Sequence, residues 1–261
     1  MKKQRIIYYT DELCDEFSKA KITAKKIDGT YVYCHDSVFK RITHFFWYRI
    51  IAAPLAFVYT KRKFAHKIIG GEKLRACRGT GYFLYGNHTQ DIADPLIPNM
   101  MDFGTDKYFI AHPNNVSMPL LGRITPSLGA LPLPDDLAAY RNFISAIERR
   151  ITEGKAIVIY PEAHIWPYYT KIRPFPDTSF SYPAKLNAPA FCFTNTYHKR
   201  KFSHEPKIIT YVDGPFYADD SLPAREMRKD LRDRVYTVMC ERAKLSNFEK
   251  IKYVKRETSN D

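Results

Sequence analysis

The sequence has few cysteines and no close pair of them: Cys14, Cys34, Cys77, Cys192 and Cys240 are odd in number and widely scattered. A zinc site or a disulfide framework needs clustered or paired thiols, so both are excluded as the organising principle. There is also no uninterrupted run of about 20 apolar residues, the length that spans a bilayer. Arg49 and Pro54 break the longest apolar stretch. Behind the basic start Met1-Lys2-Lys3-Gln4-Arg5, only Ile6 to Tyr9 are apolar before Thr10, Asp11 and Glu12. That is too short for a signal peptide, and a cytoplasmic location, peripheral on the inner face of a membrane, is expected. A Gly-x-Ser-x-Gly elbow, a Walker phosphate loop and a cluster of metal ligands are likewise missing, which removes support for serine-hydrolase, nucleotide-hydrolase and metalloenzyme chemistry. Gly79 and Gly81 precede a strand instead of opening a helix, the wrong context for a dinucleotide site. No metal and no cofactor is expected.

What is present is ordinary in bulk and unusual in charge. The 261 residues are 45% hydrophobic and 26% charged, a composition that folds. Lys and Arg number 41 against 28 Asp and Glu, for a net charge of +13. Such a surplus calls for an anionic partner: nucleic acid, an anionic membrane surface or a phosphorylated small molecule. The aromatic content of 15% suits base stacking, a membrane interface or a dense core. The basic residues, however, are interspersed with acidic ones and show no nucleic-acid-binding signature. A basic nucleic-acid-binding protein therefore stands only as an alternative.

Residues 1–69 differ from the rest and are expected to form an appended region. Ile22 to Tyr33 predicts a small hairpin around Asp28-Gly29. Residues 37–64 are helical in pattern, with aromatic and aliphatic positions from Phe45 to Tyr59. Lys40 and Arg41 before them and Lys61, Arg62 and Lys63 after them fit an interfacial helix on an anionic membrane, with a core-packing helix as the competing reading. Residues 70–261 alternate strands and helices, predicting an α/β domain with a mixed sheet flanked by helices. Strands are expected at Tyr82 to Tyr85, Tyr108 to Ala111, Ala130 to Leu133, Ala156 to Tyr160, Ala190 to Thr196 and Ile208 to Val212. Helices are expected near Ile92 to Met101, Asp136 to Glu153, Thr178 to Leu186 and Arg225 to Val254.

The chemistry concentrates after the first of these strands, in Asn87-His88-Thr89-Gln90-Asp91-Ile92-Ala93-Asp94-Pro95. A histidine leaving a strand with a carboxylate on its second ring nitrogen can take a proton near neutral pH. Asp91 and Asp94 are both within reach.

The segment resembles the Asn-His plus distal Asp signature of the glycerolipid acyltransferases, the family that includes the lysophosphatidic acid acyltransferases. Four residues separate His and Asp in that family; here Ala93 holds that position and Asp94 follows after five. Pro95 favours Asp94 through a one-residue insertion, with Asp91 competing. Further blocks follow in the family's order. They are Pro119-Leu120-Leu121-Gly122 with Leu128 to Leu133, then Gly154 to Glu162 ending Tyr160-Pro161-Glu162, then Lys171 to Phe175 with Ala184 to Phe193. The resemblance covers about residues 80–197.

It implies transfer of a fatty acyl group from an acyl thioester, acyl-CoA or acyl carrier protein, to a hydroxyl of a lysophospholipid-like or other lipid acceptor. His88 would be the general base and Asp94 its orienting partner. Asn87, Glu162, Lys171 and Arg173 would contact substrate, and His164 and Trp166 would line the pocket. Members that use glycerol phosphates carry arginines where this chain has Pro134-Asp135-Asp136 and Ala163-His164-Ile165. Lys171 and Arg173 are the substitutes at hand. A lipid-binding member without catalysis is the second alternative.

Overall fold

The computed structural model describes residues 4–17, 22–34 and 37–256. The chain opens with β1 (Arg5–Tyr9) and continues, after a loop, into α1 (Val38–Phe45), a π-helical stretch (Phe46–Ala52) and α2 (Ala53–Phe64). The Ile22 to Tyr33 hairpin does not form. Asp28 and Gly29 do make a turn, but the backbone groups of Ile27 are engaged elsewhere: its N–H donates to Asp135 Oδ2 at 2.6 Å and its carbonyl accepts from Asp135 N at 2.9 Å. Arg49 and Pro54 do not interrupt the following helix either. Pro54 closely follows the π-helical stretch and the helix continues through it, while Arg49 reaches Asp106. Arg41–Phe64 is thus 24 continuous helical residues, long and apolar enough to cross a membrane by length and composition. Only one stripe, Tyr48, Ala56, Thr60 and Phe64, is buried, while Ile42, Phe45, Phe46, Ile50, Leu55 and Phe57 are exposed.

The remaining elements are β2 (Lys67–Ile69), α3 (Glu72–Arg75), β3 (Tyr82–Gly86), α4 (Ile97–Met101), β4 (Lys107–Ala111), α5 (Asn114–Ser117) and β5 (Ala130–Pro132). They are followed by α6 (Leu137–Thr152), β6 (Ala156–Ile159), α7 (Ser181–Leu186), β7 (Ala190–His198), β8 (Lys207–Phe216), α8 (Ala224–Ala243) and β9 (Ile251–Lys255). Seven strands form one mixed sheet in the order β2-β8-β7-β3-β6-β4-β5, parallel throughout except for the β7–β8 pair. All six strands expected between Tyr82 and Val212 are in it. The helix expected up to Val254 stops at Ala243, and Ile251–Lys255 is β9, which pairs in parallel with β1 as a second, two-stranded sheet.

The central strands β3 and β6 are buried at every position, as a parallel sheet covered on both faces requires. Alternation then sends Phe83 and Tyr85 into one core with Phe143, Leu231 and Val235 from α6 and α8. Tyr82 and Leu84 enter the other with Phe64, Ile97 and Met101 from α2 and α4. Both layers hold β3 rigidly, and the segment that follows it is therefore fixed at its origin.

Candidate active site

Strand β3 ends at Gly86, where any side chain would collide with the Phe193 ring. The next residue pins the chain to β7: Asn195 N donates to Asn87 Oδ1 at 2.8 Å and Asn87 Nδ2 donates to the Asn195 carbonyl at 3.1 Å. The chain then turns out along the 160–168 loop. His88 N donates to Glu162 Oε2 at 3.0 Å, the His88 carbonyl accepts from Trp166 N at 3.1 Å, and the Thr89 carbonyl accepts from Tyr168 N at 2.9 Å. Three backbone bonds thus set where the His88 ring emerges.

The turn through 91–96 folds back and brings Asp94 Oδ2 to 2.8 Å from His88 Nδ1. The same oxygen accepts from Thr89 N at 2.8 Å and Gln90 N at 2.9 Å. The Asp94 side chain is wholly buried, whereas 18% of the His88 side chain remains open. Asp91 is exposed. The competition between the two aspartates is therefore resolved geometrically: the extra residue is absorbed in the turn, and Asp94 faces the ring. Burial raises the Asp94 carboxyl above its ordinary value, and the ring and the two amides pull against that shift. An oxygen that accepts from two amides offers no proton, so Nδ1 carries the hydrogen and Nε2 is left as the acceptor. The Tyr160 ring stacks on the imidazole at 4.4 Å, and its hydroxyl donates to the Asp94 carbonyl at 2.6 Å.

Glu162 and Arg173 lie behind this pair, not in front of it. Arg173 N donates to Glu162 Oε1 at 3.0 Å, and the guanidinium approaches Oε2 at 3.5 Å; both side chains are fully buried. The guanidinium also donates to the His164 carbonyl and, at 3.1 Å, to the Glu12 carbonyl, and it lies over the Trp166 ring. Burial raises the Glu162 carboxyl, with the Arg173 charge opposing the shift. Asn87, Glu162 and Arg173, expected to contact substrate, are buried and hydrogen-bonded within the scaffold, although Arg173 Nε has no partner among the described residues. Trp166 is buried too, with Nε1 donating to the Asp15 carbonyl at 2.7 Å, and His164 meets Glu16 at 3.0 Å. Lys171 is exposed.

Sequence reasoning missed three contributors. Tyr160 was visible, since it stands directly before Pro161-Glu162 in the quoted block. Gln90 and Tyr197 carried no such signal. Tyr197 hydroxyl donates to Thr89 Oγ1 at 2.8 Å and accepts from Gln90 Nε2 at 3.1 Å, which stiffens the turn from below.

Neither a protein-family model nor a curated protein sequence matches the chain. Among solved structures, it is similar to the crystal structure of the 1-acyl-sn-glycerophosphate (LPA) acyltransferase PlsC from Thermotoga maritima. The TM-score is 0.53 and the identity 18%, over 74% of this chain and 80% of that one. With a seven-stranded mixed sheet flanked by helices, this chain has an acyltransferase-like fold.

Proposed function

We propose that the chain transfers a fatty acyl group from an acyl thioester, acyl-CoA or acyl carrier protein, to a hydroxyl of a lysophospholipid-like or other lipid acceptor. The observation that carries this reading is the 2.8 Å contact between His88 and the buried Asp94 at the carboxyl end of β3, where α/β folds place their ligands. With Nδ1 held by Asp94, Nε2 of His88 removes the acceptor's hydroxyl proton. The alkoxide oxygen forms its bond to the thioester carbonyl carbon, the tetrahedral intermediate collapses, and the carbon–sulfur bond breaks. The departing thiolate receives the proton that His88 holds, so the enzyme returns to its starting state without a covalent intermediate. Asp94 stabilises the imidazolium between the two proton transfers.

The helix from α1 to α2 supports a peripheral site of action at a membrane, because a lipid acceptor resides there and the helix exposes a broad apolar face. Lys171 is the cation we assign to an anionic acceptor group, as Arg173 is engaged with Glu162.

The test is incubation of purified protein with labelled acyl-CoA or acyl carrier protein and a panel of lysolipids, with acylated product resolved from substrate. Product that depends on His88 supports the reading. Absence of product with both donors across the panel, or full turnover in His88→Ala, would sink it.

A further inference from the structure

The sheet's opposite end carries a concavity. A groove of about 1240 Å³ opens between the 26–33 loop, α1, the 123–127 turns and the carboxyl end of α6. Asp106 and Lys155, which lead into β4 and β6, and Ala130, which begins β5, lie on it, so it sits at the amino ends of parallel strands. His88 follows the carboxyl end of β3, and a five-residue strand is roughly 17 Å long. The groove is therefore separate from the candidate active site.

Six cationic side chains and three carboxylates line it, and the carboxylates are already engaged. Glu153 meets Arg149 and Arg150 at 2.9 and 2.6 Å, and Asp106 meets Lys155 at 2.9 Å. Asp28 accepts from Thr30 N and Oγ1 at 3.0 and 2.6 Å and only feels the Lys26 charge from a distance. Lys26, Arg41 and Arg123 are exposed and, among the described residues, make no ion pair. Beside these three cations stands an apolar wall. Val38, Ile42 and Phe45 share one face of α1 by their i, i+4, i+7 spacing, and they are 69%, 61% and 58% exposed.

A soluble anion would pair with the cations and leave that wall in water. A ligand with an anionic head and apolar tails satisfies both halves of the lining. We infer that this groove binds one anionic phospholipid, its headgroup among Lys26, Arg41 and Arg123 and its acyl chains along Val38, Ile42 and Phe45. Occupancy seats α1 on an anionic bilayer and is independent of whether His88 performs acyl transfer.

The experiment is calorimetric titration of the full chain with dihexanoyl phosphatidylglycerol below its micellar concentration, alongside dihexanoyl phosphatidylcholine and glycerol 3-phosphate. Saturable binding of the anionic lipid is expected, with neither the zwitterionic lipid nor the tail-less phosphate matching it. Lys26→Ala/Arg41→Ala/Arg123→Ala should weaken it on the order of 100-fold, roughly 5-fold per charge. Ile42→Ser/Phe45→Ser should weaken it as well, and Lys61→Ala/Arg62→Ala, at the far end of the helix, should not. Equal binding of glycerol 3-phosphate would overturn the lipid assignment. Unchanged binding in the groove triple variant would overturn the location, and equal loss in the Lys61/Arg62 variant would reduce the effect to diffuse charge. Circular dichroism of each variant confirms that these exposed substitutions leave the fold intact. Product formation by the same variants on the lysolipid panel reads acyl transfer separately, so either proposal can fail without the other.

Discussion

Replacing Asp94 by Asn separates the orienting carboxylate from its neighbour Asp91. Asn keeps the volume and can leave an oxygen where Oδ2 now accepts from His88, Thr89 and Gln90. Its amide nitrogen then falls at Oδ1, which is buried and has no partner among the described residues. An unpaired buried donor costs roughly 1–3 kcal/mol. Relief of the carboxylate's desolvation offsets part of that cost, so the net loss of stability should be about 1 kcal/mol. Turnover should suffer far more. Without the negative charge the imidazolium is no longer stabilised, and kcat should fall by about 100- to 10,000-fold, the range of general base catalysis, with KM little changed because Asp94 is buried behind the ring.

The same substitution carries a signature in pH. Burial raises the Asp94 carboxyl in the folded protein, so the folded state holds its proton where the unfolded state has lost it. The contribution to stability is present below the unfolded pKa and is lost as pH rises through the folded one. Wild type should therefore gain stability relative to Asp94→Asn as pH is lowered. Asp91→Asn, at an exposed position, should stay within about 0.5 kcal/mol of wild type and keep full turnover. Steady-state kinetics with labelled donor and thermal melts across pH decide the matter. A larger loss in Asp91→Asn, or full turnover in Asp94→Asn, would refute the assigned pair.

Four further outcomes are expected. His88→Ala should abolish transfer while costing only about 1 kcal/mol in a denaturant melt, since the ring's contacts are one stacking and one hydrogen bond. Arg173→Met should destabilise by roughly 3–5 kcal/mol by leaving Glu162 charged and buried, and adding Glu162→Gln should restore part of that in the same melt. Burial holds the His66 imidazole down to about 4, so the folded state binds fewer protons than the unfolded one between there and the ordinary histidine value. Stability is thus lost as pH falls across that window, and His66→Gln, which can keep the bond to Thr210, should flatten the melting temperature measured there. On anionic vesicles, Phe46→Ala/Trp47→Ala/Arg62→Ala should float less than wild type, and salt should weaken but not abolish the wild-type contact; equal flotation would locate the membrane contact elsewhere.

The central fold was legible because its signals are local. Tyr82 to Tyr85, between Gly81 and Gly86, and Ala156 to Ile159, between Gly154-Lys155 and Tyr160-Pro161, are short apolar runs that suit strands covered on both faces. The pair β1 and β9 was not legible, since each strand is half exposed and gains its partner only when the two ends of the chain meet. Only Ile251-Lys252-Tyr253 alternates before Val254 breaks the pattern, and the segment follows a long charged helix whose continuation it resembles. The same limit applied to the site. His88 and Asp94 share one turn and could be paired from spacing, whereas the orientation of Arg173 depends on Glu162, Trp166 and Glu12, which only tertiary structure assembles.

That assembly bears directly on acceptor recognition. Trp166 is enclosed by Tyr9, Phe17 and Tyr253 at ring separations of 4.7, 5.2 and 5.0 Å, so the strands β1 and β9 brace the loop that carries it. The loop in turn holds Glu162 on the His88 amide, and Arg173 ties Glu162 to the Glu12 and His164 carbonyls. Swinging Arg173 out to meet a phosphate would leave the Glu162 charge buried without a counterion, at roughly 3–5 kcal/mol. One exposed charge–phosphate contact returns about 1 kcal/mol or less. The balance favours the guanidinium where it is, and on the proposed function a phosphorylated acceptor would be read by an exposed cation such as Lys171. On the proposed acyl transfer, an acceptor that needs no strong anion contact is compatible with this loop, as with the absence of arginines at 134–136 and 163–165.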